Sequence, residues 1–197
     1  RHGPKERFLK KVTLAGILLI PLMILLYRIL GGESPDPLKE IYTYTGLGAL
    51  ALLFGTLALT PLSRYSSLRL ISYRRFLGLF SFFYATLHFG AYLILDLSLE
   101  WSALWNQAVQ KPFVLLGFFG WMILTGLALT SIPKLWKRFQ RGHIVIYLAL
   151  WLGAIHYFLA QKVAQSPHYF VLFLALLLTL LKAIRLSSRL KRLSNKL

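Results

Sequence analysis

The chain has 197 residues, 57% of them hydrophobic and only 15% charged, and its formal net charge is +17. Ordinary soluble domains carry roughly 25% charged residues, so this composition, with a mean hydropathy of +0.62, excludes a soluble globular domain and points to lipid. There is no cysteine, which removes disulfides, thiolate-held metal centres and thioether-attached cofactors.

Six apolar runs, each near the ~20 residues that cross a bilayer core, predict an all-α integral membrane protein. Its architecture is a six-transmembrane-helix bundle forming one domain over residues 1–197. The first run, Val12–Leu30, follows Arg1, Lys5, Arg7, Lys10 and Lys11. It has the outline of a secretory signal, but its length and lack of a small-residue cleavage site predict a retained helix. The turn GGESPDP leads to the second run, Ile41–Pro61. There Gly46, Gly48 and Gly55 either permit close helix packing or mark a discontinuity of the kind transporters use. The third run, Phe76–Leu95, begins behind Arg74 and Arg75 and contains His88. The longest connection, DLSLEWSALWNQAVQKP, carries Trp101 and Trp105 and reads as a segment lying in the interface. The fourth run, Pro112–Ile132, is followed by PKLWKRFQRG, where bases alternate with aromatics as in an interfacial anchor. The fifth, His143–Gln161, holds His143 and His156, and the sixth is His168–Ala183. No Gly-rich phosphate loop and no internal repeat is present, so the chain carries no dinucleotide-binding domain of its own.

The charge is sorted by connection. Nineteen of the 23 Lys and Arg fall in the N-terminal stretch, the second and fourth connections and the C-terminal tail. The first, third and fifth connections and the helix ends beside them hold Arg28, Lys39, Lys111 and Lys162, with five of the 6 acids: Glu33, Asp36, Glu40, Asp96 and Glu100. The positive-inside rule places both termini in the cytoplasm, N-in/C-in. The excess charge is therefore an orientation signal in contact with anionic membrane lipids, and nucleic acid is not the partner.

Of the five histidines, His2 sits near the terminus and His168 at a helix start, where polar groups are cheap. His88 and His156 lie deep in apolar runs, where polar residues are costly and are paired or functional. For either alone, a hydrogen bond across helices is an equal account. Their depth separates the two. His88 is 12 residues past Phe76 and His156 is 13 past His143, on helices that run in the same direction. At ~1.5 Å per residue both are about 18–20 Å up, past the midplane toward the outer face. Two neutral imidazoles at one height suit an iron that brings its own flat macrocycle and needs only axial ligands, a haem b. Zinc needs more protein ligands, and no carboxylate lies at that depth.

A lower level is also readable. His143 lies about 20 Å below His156, room for a second haem, although 13 residues of straight helix leave the two side chains about 140° apart. On the third helix the residue 14 before His88 is Arg74, a poor iron ligand but a fit partner for a propionate or phosphate. Phe82, Tyr84, Trp121 and Trp151 are candidate haem-pocket residues or plain packing.

At these residues the sequence resembles a known family. RRFLGLFSFFYATLHFGAY, QKPFVLLGFFGWMILTGLALTS, GHIVIYLALWLGAIHYF and DPLKEIYTYTGLGALALLFGTLALTPLSRY are similar to the haem-binding membrane subunits of periplasmic methionine sulfoxide reductase systems, the MsrQ (YedZ) family. That family lies in a wider group of ferric-reductase-like transmembrane domains that includes NADPH oxidases. The family histidines map onto His88, His143 and His156, and Arg74 stands where NADPH oxidases have a fourth. At the start of the fifth helix this chain reads FQRGH, which departs from the family's W-x-x-L-H pattern. The resemblance implies a redox subunit of the bacterial inner membrane, with no catalytic site of its own for methionine sulfoxide. It would bind one or two haem b and FMN. It would pass electrons from a cytoplasmic flavin reductase or the quinone pool to a periplasmic molybdopterin-containing methionine sulfoxide reductase. The alternatives are a stand-alone ferric or quinone reductase, and a six-helix transporter whose histidines only bridge helices.

Overall fold

The computed structural model describes residues 4–65, 70–139 and 142–194. Arg1, His2, Arg69, Arg141 and Lys196, which entered the sequence reading, lie outside the described residues. Within them the chain is helical, with no strand: α1 (Pro4–Leu30), α2 (Pro37–Tyr65), α3 (Arg74–Ala91), α4 (Trp101–Gln110), α5 (Pro112–Thr130), α6 (Pro133–Phe139), α7 (Ile146–Leu159) and α8 (Ser166–Ser194). Six stretches among the described residues are long and apolar enough to cross a membrane. They coincide with the six predicted runs and are built on α1, α2, α3, α5, α7 and α8.

The helices overrun the apolar runs at several ends. Helix α8 continues to Ser194 rather than stopping near Ala183. The stretch after Ala183 contains no Gly or Pro, so nothing breaks the helix where its hydrophobicity stops. Helix α2 runs through Pro61 to Tyr65. Membrane helices tolerate such a proline because neighbouring groups re-satisfy the backbone it frees. Helix α5 starts with Pro112 in its first turn, where the missing N–H has no partner to lose.

Three departures from α geometry flank α3 and α7, the first a 3-10 turn, Leu70–Tyr73, that leads into α3. Helix α3 ends in a π turn, Tyr92–Asp96, and α7 is entered through a 3-10 turn, Gly142–Val145.

Small residues set the packing. Helix α2 lies along α3, α5 along α7, α7 along α8 and α3 along α5. The Ser81 hydroxyl donates to the Ala49 carbonyl at 2.8 Å, and Gly48 leaves the space that the Tyr84 ring occupies. Close approach over small residues is how helices associate when lipid removes the hydrophobic drive between them. Of the three glycines in the second run, Gly46 and Gly48 face side chains of α3, and Gly55 faces Leu77; α2 is one continuous helix, and packing is their role.

One buried cluster, including Leu53, Leu57, Leu124, Leu150, Ala154 and Ala175, joins α2, α5, α7 and α8. A second, Leu93, Leu97, Leu104, Ala108 and Val114, docks α4 onto the end of α3 and the start of α5. Helix α4 turns Leu104 and Ala108 inward while Trp101 and Trp105 are 63% and 68% exposed, the pattern expected of an interfacial helix. Large apolar side chains such as Met23, Phe170 and Phe173 stand outward, as a lipid-facing surface requires.

Candidate functional site

Helices α3 and α7 each carry one histidine inward at the same level, and the two meet. The His88 and His156 ring centres are 6.0 Å apart with planes at 86°. The bundle makes room for both rings by omitting side chains opposite them. A Cβ on Gly46 of α2 would sit 3.0 Å from His88 Cε1, and one on Gly117 of α5 would sit 2.8 Å from His156 Cε1 and Nδ1.

Hydrogen bonds fix how each imidazole is presented. His156 Nδ1 lies 2.6 Å from the Phe113 carbonyl oxygen. A carbonyl only accepts, so Nδ1 carries the proton. His88 Nδ1 lies 3.2 Å from the Thr45 hydroxyl, which already donates its proton to the Ile41 carbonyl. Thr45 can therefore only accept, and His88 is also protonated on Nδ1. Both rings keep an Nε2 lone pair, the arrangement in which a neutral imidazole ligates metal while its other nitrogen is held by a carbonyl or hydroxyl. Two aromatic rings complete the surround: Tyr42 stands edge-on to His88 at 5.7 Å, and Phe113 is tilted on His156 at 5.9 Å.

The donor set can be tested against an iron macrocycle. No group of three or more His, Cys, Asp or Glu able to hold a metal exists among the described residues. A bare ion would be short of ligands here. A metal that brings its own equatorial ligands needs only two. Two metal–nitrogen bonds of about 2 Å, with about 1 Å more from each nitrogen to its ring centre, give roughly 6 Å between centres. The observed ring separation of 6.0 Å equals that span, so the spacing of the two imidazoles suits the group.

The family model described as "Ferric reductase like transmembrane component" matches residues 43–160, which contain both histidines. A protein-methionine-sulfoxide reductase heme-binding subunit MsrQ from Salmonella arizonae is 39% identical over 189 residues, covering 92% of this chain and 95% of that protein. The MsrQ subunits of Salmonella paratyphi B and Salmonella newport are each 42% identical over 173 residues, 83% of this chain and 86% of theirs. The chain belongs to the MsrQ family. No solved structure matches it.

In this MsrQ chain the lower level is built differently from the upper one. His143, in the 3-10 turn before α7, has Nε2 3.2 Å from the Thr130 hydroxyl. That hydroxyl also lies 2.8 Å from the Gly126 carbonyl, so Thr130 ties His143 Nε2 to α5. Arg74, the first residue of α3, is half-buried and its charge reaches His143 and Tyr147; that of Arg185 reaches Tyr147. The structure thus brings Arg74 and His143 to one level, as their spacing predicts. Among the described residues no second imidazole lies there.

The remaining sequence candidates sit elsewhere. His168 is buried at the start of α8, accepts the Gln165 backbone N–H at 2.9 Å and stacks on Tyr157 at 4.8 Å, so it caps its own helix. The Tyr84 hydroxyl donates to the Leu18 carbonyl of α1. Trp151 donates to Thr179 of α8 at 3.1 Å, and Trp121 to Thr86 at 3.1 Å; Phe82 packs against the large buried cluster. These four side chains hold helices together, and the rings touching the histidines are Tyr42 and Phe113. Sequence reasoning missed Tyr42, Thr45, Phe113 and Gly117. A small residue at the level of each histidine on the neighbouring helix is the one signal that points to this cradle.

Proposed function

We propose that this chain is the haem b-carrying membrane electron-transfer subunit of a methionine sulfoxide reductase system, with His88 and His156 as the axial ligands. The observation that carries this reading is the His88–His156 pair: two inward imidazoles 6.0 Å apart on separate helices, each with Nδ1 engaged. When bound there, a haem supplies a one-electron Fe(III)/Fe(II) couple. The chain's own residues do the rest. His88 and His156 present Nε2; Thr45 and the Phe113 carbonyl hold the tautomers; Gly46 and Gly117 leave the rings room beside α2 and α5. Held by both His88 and His156, such a group would leave no protein-free position for oxygen and would serve electron transfer.

The basic ends of the helices face the cytoplasm in this reading, so the histidine pair lies nearer the periplasm in a bacterial inner membrane. The chain passes electrons outward, from a cytoplasmic flavin reductase or the quinone pool to a periplasmic molybdenum-containing methionine sulfoxide reductase. That donor, that acceptor and FMN rest on family resemblance. Arg74 suits a carboxylate or phosphate at the cytoplasmic level, beside His143. Ligation of a second haem through the His143 Nε2 requires that nitrogen to leave Thr130.

The test is spectroscopic. Membranes containing the chain show a b-type Soret band with sharp reduced α-bands. His88→Ala and His156→Ala each lose most of it. His143→Ala keeps it, with about one haem per chain before and after. Wild-type haem content in both His88→Ala and His156→Ala removes the ligand assignment. Loss of half of two haems in His143→Ala places a second one at the lower level.

A further inference from the structure

Beside the histidine pair lies a contact that ligation itself does not require. Tyr42 of α2 sets its ring edge-on to His88, centroids 5.7 Å apart and planes at 73°. Its hydroxyl donates to Asp96 Oδ2 at 2.5 Å. We propose that Tyr42 and Asp96 form a clamp that sets the orientation of His88, so that both are positioning residues for the haem-binding pair; this rests on the function proposed above.

The backbone around Asp96 is arranged for the contact. On a straight α-helix, eight steps of 100° leave Asp96 about 80° from the His88 face. The last five residues, Tyr92–Asp96, are instead wound as a π turn, so the last four of the eight steps are under-wound. At about 80° per step that winding brings Asp96 back to within about 10° of His88. The ladder shows the wider spacing in the Leu97 N–H bond to the Tyr92 carbonyl, and the Leu99 N–H then closes the helix end onto the Leu93 carbonyl.

The chain then reverses through Ser98 and Leu99, with φ of 46° and 66°. Left-handed backbone is unfavourable for both residue types, and for leucine it is rare. Neighbouring structure holds it: Leu93 and Leu97 are buried against Leu104 and Ala108 of α4. Helix α4 thus anchors a strained turn whose winding aims one carboxylate at the tyrosine that touches the ligand. π turns and strained residues held by surrounding packing are concentrated at functional sites.

The experiment uses the haem-loaded protein in detergent. The variants are Tyr42→Phe, Asp96→Ala, Asp96→Asn, the double variant Tyr42→Phe/Asp96→Ala, and Glu100→Ala as a charge control on an exposed neighbour. Three quantities are read: haem per chain, the ferric low-spin electron paramagnetic resonance signal, which reports the relative orientation of the two imidazoles, and the midpoint potential. Tyr42→Phe and Asp96→Ala are expected to keep haem and to change the ferric signal in the same way. The reduced-to-oxidised ratio at fixed potential shifts three- to tenfold, and a tenfold change corresponds to 59 mV for one electron. Asp96→Asn keeps an acceptor for the Tyr42 hydroxyl and restores the wild-type signal. The double variant moves no further than either single one, because the two residues act through one contact. Glu100→Ala matches wild type.

A wild-type signal and potential in Tyr42→Phe overturn the clamp. So do effects that add in the double variant, or equal potential shifts in Asp96→Ala and Asp96→Asn with none in Tyr42→Phe, since the carboxylate then acts through charge alone. If Tyr42→Phe does not fold, the exposed Asp96→Ala and its asparagine rescue decide the matter. Haem retained in His88→Ala sinks the underlying assignment instead, a result no outcome at Tyr42 or Asp96 imitates.

Discussion

Gly117→Ala tests the histidine cradle most directly. The new Cβ would stand 2.8 Å from both Cε1 and Nδ1 of His156. Non-bonded carbons rest at about 3.5–4.0 Å, so the ring must retreat by roughly 0.7 Å or more. A flexible side-chain tip would yield cheaply, but this one is pinned. Its Nδ1 is bonded to the Phe113 carbonyl at 2.6 Å, and its other side faces His88. Overpacking of this kind costs about 1–3 kcal/mol, and losing the Phe113 hydrogen bond costs about 1 kcal/mol more. Disturbing the partner that orients a metal ligand typically lowers affinity about 10–100-fold. Gly117→Ala is therefore expected to remain in the membrane as a folded chain that sheds haem during detergent purification. The assay is haem per chain across a detergent wash series, with melting followed in parallel. Gly120→Ala, one turn further along α5, is the control, because its Cβ would meet Leu152 Cβ at an ordinary 3.6 Å. Full haem with an unchanged spectrum in Gly117→Ala, or equal loss in Gly120→Ala, refutes the cradle.

Gly46→Ala places a Cβ 3.0 Å from His88 Cε1 and is expected to weaken haem retention less than Gly117→Ala, read in the same wash series. Gly48→Ala collides with the nearly inaccessible Tyr84 ring; with no space to retreat, the α2–α3 pair is expected to lose about 1–3 kcal/mol, seen as a lower melting temperature. Tyr84→Phe removes the hydroxyl that ties α3 to the Leu18 carbonyl. It should cost about 0.5–1.5 kcal/mol and speed proteolysis of α1 without changing the haem spectrum. Thr45→Val deletes the hydroxyl acceptor beside His88 Nδ1 and leaves the Tyr42 backbone as its partner; a broadened or shifted ferric signal with haem still bound is the expected result.

The spans were legible because lipid imposes one demand, about 20 apolar residues per crossing, and the chain meets it six times. The histidine pair was legible for a related reason: on parallel helices, depth follows from counting residues, and His88 and His156 count to the same height. What faces a residue across a helix interface does not follow from counting. In the sequence Gly46 fits two readings and Gly117 none in particular, because a glycine carries no mark of the ring it accommodates. Phe113 acts through its backbone carbonyl, which every residue type possesses. The aromatics Tyr84, Trp121 and Trp151 suit a pocket or plain packing by type, and their polar atoms, committed to Leu18, Thr86 and Thr179, decide for packing.

The deepest gap lies in the assumption of a constant 100° per residue. On that assumption His143 and His156 diverge by about 140°, and no single neighbour serves both. The 3-10 turn Gly142–Val145 winds at about 120° per residue, and two or three such steps narrow the divergence to about 80–100°. Both imidazoles then reach α5, His143 at Thr130 and His156 at Phe113. The π turn at the far end of α3 works in the opposite sense, under-winding to bring Asp96 over the His88 face. At the start of α7 and at the end of α3, a change of pitch thus re-aims a polar group. Hydrophobic periodicity reports the regular part. The pitch changes depend on contacts with other helices, Thr130 for one and Tyr42 with the buried Leu93 and Leu97 for the other, so only the assembled bundle displays them.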